Sequence, residues 1–375
     1  MAIAMSVLLF GSCKKEIKTT DATALNATAS DDLQAAGAGH VFILSNQITS
    51  NEVLTYRRSA NGKLSFGAAY PTGGTGTGGG LGNQGAVIVS QDGKLLLAVN
   101  AGSNSLSSLK ITDQGLQLIS TVNSGGIQPV SITQHGKLVY VLNSGGEGNI
   151  AGFKLTSYGA LQPLSNSVRP LTDTAVGAAQ ISFVQNGTVV AITEKATNTI
   201  LTYNIRENGR PGNMHKLVAA NPTPFGFAVG RNNIIYVSEA VGGAPNASTL
   251  SSYYIAPNGS IKLVTGPVGA NQSAACWVVL SGDGRYAYTT NTGSNNVSSF
   301  RISATGNVKV ENAIAAVSGM GPIDADIDNA SKYLYVLNGA GQSISAYSID
   351  AGNGALNDLQ TAGGLPIGAT GLTAE

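Results

Sequence analysis

Charged residues and cysteines are scarce in this sequence. Lysine, arginine, aspartate and glutamate make up 11% of the 375 residues, and 21 basic residues nearly balance 20 acidic ones, for a formal net charge of +1. Binding to nucleic acid or to an anionic membrane surface depends on concentrated positive charge. Both are therefore excluded as electrostatic partners. Two cysteines, Cys13 and Cys276, are also too few for a cysteine-based metal site.

The apolar run at the N-terminus is too short to cross a bilayer as a helix, which takes about 20 residues. It lies in M-A-I-A-M-S-V-L-L-F-G-S-C-K-K-E, where small residues precede Cys13 and two lysines follow it. This arrangement resembles a bacterial lipoprotein export signal, although no Lys or Arg precedes the run and Phe10 replaces the usual leucine. The resemblance implies a signal over residues 1–12 and a lipidated Cys13. The alternative is a chance cysteine in a disordered N-terminus.

A lipid on Cys13 has consequences for the rest of the chain. Residues 13–39 become a flexible Ala-, Thr- and Asp-rich tether, and the membrane is contacted through the lipid anchor. The protein is then expected in the bacterial cell envelope, facing the periplasm or the cell surface. No disulfide is available to Cys276, which lies in the strand-like A-A-C-W-V-V-L and is predicted to be a buried small apolar residue.

Glycine and apolar residues are abundant instead. The 49 glycines and the 42% hydrophobic content suit many short strands joined by tight turns. Short apolar strands that end in Asn or Glu recur along the chain, and we call that last residue the pivot. The strands are F-I-L-S-N, L-L-A-V-N, V-Y-V-L-N, V-A-I-T-E, I-Y-V-S-E, A-Y-T-T-N and L-Y-V-L-N, with pivots Asn46, Asn100, Asn143, Glu194, Glu239, Asn291 and Asn338.

Each repeat extends to about four strands. A strand with period-two alternation follows most pivots, as in Q-S-I-S-A-Y-S-I (342–349). Tight turns such as Q-D-G-K at 91 and G-D-G-R at 282 precede the pivot strand, and Asp-Gly between apolar runs is a strong hairpin signal. A fourth, less regular strand follows most units. The pivots recur at a mean spacing of about 49 residues, a period typical of a four-stranded propeller blade.

The sequence therefore predicts an all-β, seven-bladed β-propeller of four-stranded antiparallel blades, forming a single domain over residues 40–375. The first unit begins at His40 with its pivot strand and has no inner strand before it. The chain ends in L-P-I-G-A-T-G-L-T-A-E, which resembles the inner strands T-P-F-G-F-A-V-G and G-P-I-D-A-D-I-D. We expect the C-terminal strand to close the ring as the missing inner strand, which removes two exposed edges.

The repeats also carry a family resemblance. The units G-R-Y-A-Y-T-T-N-T-G-S-N-N-V-S-S-F and K-Y-L-Y-V-L-N-G-A-G-Q-S-I-S-A-Y resemble those of the seven-bladed lactonase-type propellers. That family includes 6-phosphogluconolactonase and carboxymuconate cyclase, and the Y-V-T-N repeat propellers are related to it. The resemblance extends from about residue 40 to the end of the chain. It implies the fold, on which many functions are built.

The resemblance further implies where catalysis would take place. Lactonases of this family use His, Arg and Glu near the starts of the inner strands, where these groups act on a ring ester and its carboxylate. In this chain the corresponding segments carry Gln84, Gln128, Gln180 and Trp277. The histidines lie at the start of the first blade, in a hairpin turn and in an outer-strand region: His40, His135 and His215. This departure argues against lactonase activity and leaves the catalytic residues unassigned.

In a four-stranded blade, the turn from the second to the third strand and the crossover to the next blade lie on one face. We call it the pivot face, and the opposite one the hairpin face. The long loops 72–85, 169–178 and 239–248 fall on the pivot face, and long loops on a rigid frame commonly carry binding sites; neutral insertion is the alternative. The glycine run in 72–85 precedes neither G-K-S/T nor a helical pattern, so it predicts a flexible crossover.

Glu194 and Glu239 break the pivot pattern. An asparagine at a strand end holds the next turn by donating and accepting hydrogen bonds, whereas an ionised glutamate only accepts. Because the two lie in neighbouring blades on the face with the long loops, we predict an anionic pair that binds a small polar ligand. The contributing residues are Lys195, Gln84, Gln128, Gln180 and Trp277. The alternative is that each glutamate caps local N–H groups or pairs with a lysine such as Lys195.

Asp324, Asp326 and Asp328 alternate along one side of an inner strand in P-I-D-A-D-I-D-N. Such a row can hold a cation, but like charges at neighbouring positions of one face repel each other. We favour the alternative that Asp328 belongs to the turn and Asp324 caps the strand start. No metal and no cofactor is predicted.

Three functions remain open at this point. The first is a binding or scaffolding propeller whose pivot face takes up a small polar ligand or a partner protein, and the missing inner-strand His and Arg favour it. The second is a lactonase or lactone-forming cycloisomerase that acts on a sugar-derived or dicarboxylic lactone. The third is adhesion to a partner on other cells. We expect the protein to be a monomer.

Overall fold

The computed structural model describes residues 39–375. They form 29 β-strands in seven antiparallel sheets, with short 3-10 segments at Gln185–Gly187, Arg231–Asn233 and Val241–Gly243. Each sheet is one blade, whose inner, second, third and outer strands follow one another outward from the axis. The predicted all-β, seven-bladed propeller is confirmed. The export signal, Cys13 and the tether up to residue 38 lie outside the described residues.

The first three blades contain the strands β1 to β12 and the last strand of the chain. Blade 1 consists of β29 (Thr370–Ala374), β1 (Gly39–Leu44), β2 (Glu52–Arg58) and β3 (Leu64–Pro71). Blade 2 consists of β4 (Val87–Val89), β5 (Leu95–Asn100), β6 (Ser105–Thr112) and β7 (Gly115–Asn123). Blade 3 consists of β8 (Ile127–His135), β9 (Leu138–Gly145), β10 (Asn149–Leu155) and an outer strand in two parts, β11 (Leu161–Pro163) and β12 (Arg169–Pro170).

The other four blades follow in chain order. Blade 4 consists of β13 (Ala178–Val184), β14 (Val189–Glu194), β15 (Thr199–Ile205) and β16 (Pro211–Val218), and blade 5 of β17 (Pro224–Val229), β18 (Ile234–Glu239), β19 (Thr249–Ile255) and β20 (Ile261–Gly269). Blade 6 consists of β21 (Ala275–Leu280), β22 (Tyr286–Asn291), β23 (Asn296–Ile302) and β24 (Val308–Val317), and blade 7 of β25 (Pro322–Ile327), β26 (Tyr333–Asn338), β27 (Ser343–Ile349) and β28 (Leu356–Gly363).

The core lies between the blades. The second strands β14 and β18 are buried at every residue because a neighbouring blade covers each of their faces. Outer strands such as β28 expose many of their side chains. One apolar cluster includes Phe42 of blade 1, Leu97 of blade 2 and Val141 of blade 3. Burial on both faces explains why the strands are near-continuous apolar runs rather than strictly alternating ones.

The ring closes as the sequence predicts. Strand β29 pairs antiparallel with β1, with Phe42 opposite Thr373 and Ile43 opposite Leu372. Side chains of blade 1 hold the end of this strand: His40 Nδ1 lies 2.9 Å from Glu375 Oε1, and Arg58 Nη2 donates to the Glu375 carbonyl at 2.9 Å. The inner edge of the first blade is therefore paired rather than exposed.

Two buried aspartates of β25 join blade 7 to the closing strand. Asp324 Oδ2 accepts the backbone N–H of Leu372, and Asp326 Oδ2 accepts that of Ala374, both at 3.0 Å. Burial raises the pKa of the Asp324 carboxyl well above its usual range and that of Asp326 to about 6. Both side chains thus serve as hydrogen-bond acceptors between inner strands that converge on the axis.

Asp328 has a different role. Its Oδ1 accepts the backbone N–H groups of Lys332 and Tyr333, both at 2.7 Å, and so holds the turn between β25 and β26. Arg58 Nη2 lies 3.7 Å from the other carboxylate oxygen. The turn role predicted for Asp328 is confirmed. Across residues 39–375, no group of three or more His, Cys, Asp or Glu side chains is placed to hold a metal ion.

Candidate functional site

Most pivots are asparagines that hold their own blade together. Asn338 is completely buried, and its Nδ2 donates to Ser343 Oγ at 3.2 Å and to Ser345 Oγ at 2.9 Å. The same spacing of five and seven residues recurs at Asn100, whose amide donates to two serines of β6. These asparagines fasten the second strand to the third, which is the structural role predicted for them.

Glu239 occupies the equivalent place in blade 5 and is also completely buried. Its Oε2 accepts hydrogen bonds from Thr249 Oγ1 at 2.5 Å and Ser251 Oγ at 2.7 Å, and its Oε1 accepts from Tyr253 Oη at 2.8 Å. A hydroxyl both donates and accepts, so the residue types that accept from Asn elsewhere donate to Glu239 here. Burial raises the pKa of Glu239, and these hydrogen bonds partly offset the increase.

Glu194 in blade 4 is likewise buried at 0% exposure. Its Oε1 accepts the backbone N–H of Thr172 at 2.9 Å, and its Oε2 accepts from the hydroxyls of Thr172 and Thr197. Neither glutamate reaches solvent, so the prediction that the pair contacts a ligand finds no support in this geometry. The capping alternative accounts for both side chains.

Residues 82–85, which we call the plug segment, fill the propeller axis below the pivot face. Asn83 Nδ2 donates to the carbonyl of Val130 in blade 3, and Trp277 Nε1 of blade 6 donates to the Asn83 carbonyl at 2.6 Å. The backbone N–H of Gln84 donates to Ala179 of blade 4 at 3.2 Å. A stretch from the crossover between blades 1 and 2 therefore contacts blades 3, 4 and 6, which places it across the axis.

The Gln84 side chain completes this crossing. Its Nε2 donates to the carbonyl of Val278 at 3.0 Å, and its Oε1 accepts the Val278 N–H at 3.3 Å. Gly226 of blade 5 makes room for it, because a Cβ there would lie 2.2 Å from Gln84 Oε1 and 2.7 Å from the carbonyl oxygen of Cys276. Cys276 is fully buried, as predicted.

Lys195 supports the plug segment from blade 4. Its Nζ donates to the Gly82 carbonyl and lies 4.5 Å from the ring centroid of Phe225. The Phe225 and Trp277 rings are 5.0 Å apart at an interplanar angle of 55°. The structure thus brings three of the predicted ligand-binding residues, Lys195, Gln84 and Trp277, to one place. At that place the three side chains form hydrogen bonds with the backbone of this chain.

The two other predicted residues do not join this group. Gln180 Oε1 accepts the backbone N–H of Phe227 at 2.6 Å, which links the inner strands of blades 4 and 5. Between blades 3 and 4, Ser131 Oγ accepts the backbone N–H of Ile181 at 3.1 Å in the same way. Gln128 is partly exposed in the left-handed region, with φ of 54°, at the start of β8.

The plug segment is the feature that the sequence pattern does not show. The glycine run predicts a flexible crossover, but its last residues are hydrogen-bonded inside the ring, and Asn83 and Gln84 are buried. One signal is present: these two are the amide side chains of a run otherwise made of Gly, Thr and Leu. Amides within such a run indicate hydrogen bonds to be satisfied away from water.

The two faces differ sharply in charge over residues 39–375. In the loops and crossovers of the pivot face, the charged residues are Glu147, Asp173 and Lys195, and Arg169 lies nearby in the two-residue strand β12. Those in the turns of the hairpin face are Lys63, Asp92, Lys94, Asp113, Lys137, Arg206, Glu207, Arg210, Arg231, Asp283, Arg285, Asp328, Lys332 and Asp350. The pivot face, which carries the longest loops, is therefore the less charged one.

Exposed apolar side chains mark the pivot face. They lie in its loops and at the strand ends that meet it: Ile48, Ile127, Val168, Val218, Val317, Met320 and Ile367. Val218 and Val317 are about 70% exposed. A surface that combines few charges with many exposed apolar groups is suited to contact another macromolecule.

The hairpin face is open beside the axis. A cavity of about 500 Å³ lies between the turns of blades 2 to 5, bordered by the ends of the inner strands β8, β13 and β17. Amide side chains dominate its wall, with His135 and Arg231 as the ionisable residues among those that line it. We call it the hairpin-face cavity.

Seven four-stranded blades on a closed ring define the protein's class, the seven-bladed β-propellers. The family is defined more closely by sequence: the model of the lactonase family of seven-bladed β-propellers matches residues 44–170 and 257–369, well over half of the chain. The chain belongs to this family. The stretch between the matched parts contains Glu194, Lys195, Gly226 and Glu239. No match was found among curated proteins.

Solved structures share the fold at low sequence identity. A candidate 6-phosphogluconolactonase from Bacteroides fragilis is 19% identical, with a TM-score of 0.70 over 92% of this chain and 100% of its own. The periplasmic gluconolactonase PpgL of Pseudomonas aeruginosa is 17% identical, with a TM-score of 0.67 over 90% and 98% of the two chains. These likenesses concern the fold. Within the described residues, no helix is long and apolar enough to span a membrane.

Proposed function

We propose that this lactonase-family propeller is a binding protein without hydrolytic activity, whose pivot face docks a partner protein. The observation that carries the proposal is the filled axis. The resemblance to lactonases implies catalysis near the starts of the inner strands, and here Asn83 and Gln84 occupy that space. Lys195, the cation beside it, donates to the Gly82 carbonyl. A lactone would have to displace a segment hydrogen-bonded to several blades.

The surface around the filled axis favours a protein as the partner. Its exposed apolar residues, such as Ile48 and Met320, are 67% and 62% exposed, and its loops carry few charges. The centre of a protein interface is depleted of charge and enriched in apolar groups. A small polar ligand would need free hydrogen-bonding groups, but Glu194 and Glu239 are engaged inside their blades.

Charge substitutions on the two faces test the docking surface. We expect Ile48→Asp and Met320→Asp to abolish site-specific crosslinking of a partner protein in envelope extracts, because a charge in an apolar interface must be desolvated. Tyr158→Asp is the matched control, since Tyr158 is 85% exposed in a hairpin-face turn. Equal crosslinking by all three variants and the wild type would contradict the proposal.

The second candidate function, a lactonase or lactone-forming cycloisomerase, is favoured by the family match. Release of acid from a panel of aldonolactones and dicarboxylic lactones separates it from the first. We expect no acid above the spontaneous rate. The binding proposal would be overturned if the wild type hydrolysed a lactone and Lys195→Gln or Trp277→Phe lowered that activity. Catalysis would then be assigned to the axis.

We also propose that Cys13 carries the lipid that attaches the propeller to the cell envelope. The support is the pattern of an apolar run, small residues, cysteine and lysines at residues 1–15. Metabolic labelling with a fatty-acid analogue is expected to tag the wild type and to leave Cys13→Ser unlabelled and soluble. Labelling that survives the substitution would exclude this anchor.

A further inference from the structure

The hairpin-face cavity differs from the plugged axis because part of its hydrogen-bonding capacity is unused. Within residues 39–375, the side chains of Asn186, Asn232 and Asn233 and the Arg231 guanidinium make no hydrogen bond to protein; they are exposed or half-buried and therefore open to solvent at the cavity. All four residues line the cavity of about 500 Å³. This volume lies in the range of small-molecule sites, roughly 300–1,000 Å³.

His135 packs at the wall of the cavity. Its ring lies against Gly187, where a Cβ would come within 2.1 Å of His135 Cδ2, and the Phe183 ring centroid is 5.9 Å away. Glycine at 187 therefore allows the ring to pack between two blades. A side chain fixed in this way is oriented before any ligand arrives.

The hydrogen bonds around His135 determine which ring nitrogen carries the proton of the neutral imidazole. Gln91 Oε1 accepts the N–H of Gly136 at 2.9 Å, which fixes the orientation of the Gln91 amide. Its Nε2 lies 3.4 Å from His135 Nδ1 and can only donate. Nδ1 is therefore the acceptor, and the neutral ring carries its proton on Nε2.

The charges favour an anion. No carboxylate lines the cavity, and Asp92, in the turn beside Gln91, lies 3.9 Å from Lys94 Nζ. Arg231 supplies a permanent positive charge and several N–H donors at the rim, with its stem along Gly284 of blade 6. The asparagine amides both donate and accept, which suits hydroxyl groups.

We infer that the hairpin-face cavity binds a small hydroxylated carboxylate of about the size of a sugar acid. Arg231 and the His135 Nε2–H group would bind the carboxylate, and the amides of Asn186, Asn232 and Asn233 would bind the hydroxyls. This site is on the opposite face from the proposed docking surface. It stands or falls independently of the proposed function.

The imidazole resonances of His135 provide the test, because the chain has three histidines and His40 and His215 serve as references. D-Glucuronate is the probe, D-glucose lacks its charge, and cyclohexanecarboxylate lacks its hydroxyls. We expect D-glucuronate to shift the His135 signals saturably at concentrations up to about 10 mM, and each analogue to bind roughly tenfold more weakly or worse.

Two variants separate specific binding from general attraction to the charged face. Arg231→Gln is expected to weaken D-glucuronate binding about tenfold or more. Lys332→Gln, which removes an exposed cation from the equivalent turn of blade 7 outside the cavity, should leave it unchanged. The proposal is overturned if no ligand of this panel shifts His135, or if both variants weaken binding equally.

Discussion

The two faces of this propeller are built on the ends of the same strands, yet they differ in nearly every property. The pivot face carries the longest loops, among them the glycine-rich crossover 72–86, and few charges, and its axis is filled by the plug segment. The hairpin face has short charged turns and an open cavity of about 500 Å³ beside the axis. Charge, exposed apolar groups and open volume are thus distributed unequally over one repeating frame.

Loop length explains much of the difference. A short hairpin loop such as residues 90–94, between β4 and β5, returns at once to its own sheet and cannot reach the axis. The crossover 72–86 is long enough to pass over the end of blade 1 and turn inward. An inner strand has no sheet partner on its axial side, so its backbone N–H and C=O groups there can form hydrogen bonds with a segment that enters the axis. The fold leaves the axial edges of the inner strands unpaired, and residues 82–85 of one long crossover form hydrogen bonds with them.

The largest expected effect on stability comes from adding a methyl group at Gly226, where the Gln84 side chain of the plug segment packs. Gly226→Ala places a Cβ about 2.2 Å from Gln84 Oε1 and 2.7 Å from a backbone carbonyl, and we expect a loss of about 3 kcal/mol or more in the free energy of unfolding. The measurement is denaturant unfolding. The matched control, Gly80→Ala, meets no atom within 4 Å and should change stability by less than about 0.5 kcal/mol. Equal losses in both variants would mean that the plug segment is not tightly packed.

The contact between blades 7 and 1, where Asp326 of β25 meets the closing strand β29, should make the stability of the folded protein depend on pH. The pKa of Asp326 is raised to about 6 in the folded protein from 3.8, so its contribution to stability is present below about pH 4 and is lost as the pH rises through about 6. The change is at most about 3 kcal/mol, and Asp324 and Glu239 act in the same direction. Melting temperatures between pH 4 and 7.5 should show a steeper decline for the wild type than for Asp326→Asn. Parallel curves would contradict this assignment.

Substitution of the two glutamate pivots distinguishes whether they stabilise their blades or bind a ligand. Glu239→Gln replaces an acceptor by an N–H donor facing Thr249, Ser251 or Tyr253, and we expect a loss of about 1–2 kcal/mol in the free energy of unfolding. Glu194→Gln should lose less, because fewer donors meet its carboxylate. Thermal unfolding of both variants provides the test. Unchanged stability in both would revive the prediction that they bind a ligand at the pivot face.

The smallest effect is expected at the lysine that supports the plug segment. Lys195→Met keeps the aliphatic stem but removes the hydrogen bond to Gly82 and the contact of the cation with the Phe225 ring, together worth about 1 kcal/mol. We expect faster hydrogen exchange at residues 82–85 and unchanged exchange in the hairpin-face turns. Faster exchange on both faces would show that the plug segment stabilises the whole ring rather than the pivot end.

The repeat pattern predicted the architecture well because it reports local chemistry. Apolar strands, Asp-Gly turns and a period near 49 residues are properties of each blade taken by itself, and the absence of an inner strand before His40 indicated how the ring closes. The candidate site was harder to predict. Gln84, Lys195 and Trp277 are indeed together, but the pattern did not show that residues 82–85 would occupy the place of a ligand.

By itself, the sequence determined the number of blades, their strand order and the pairing of β29 with β1, because hydrophobic periodicity and turn residues act over a few positions. Only the tertiary structure decided that the glutamate pivots would be buried, that the glycine-rich crossover would fill the axis, and that the open cavity would lie on the other face. Those outcomes depend on hydrogen bonds between residues far apart in sequence, such as Gln84 and Val278, 194 positions apart, and Asn83 and Thr370, 287 positions apart. No local pattern records which of the unpaired inner edges such a segment will meet.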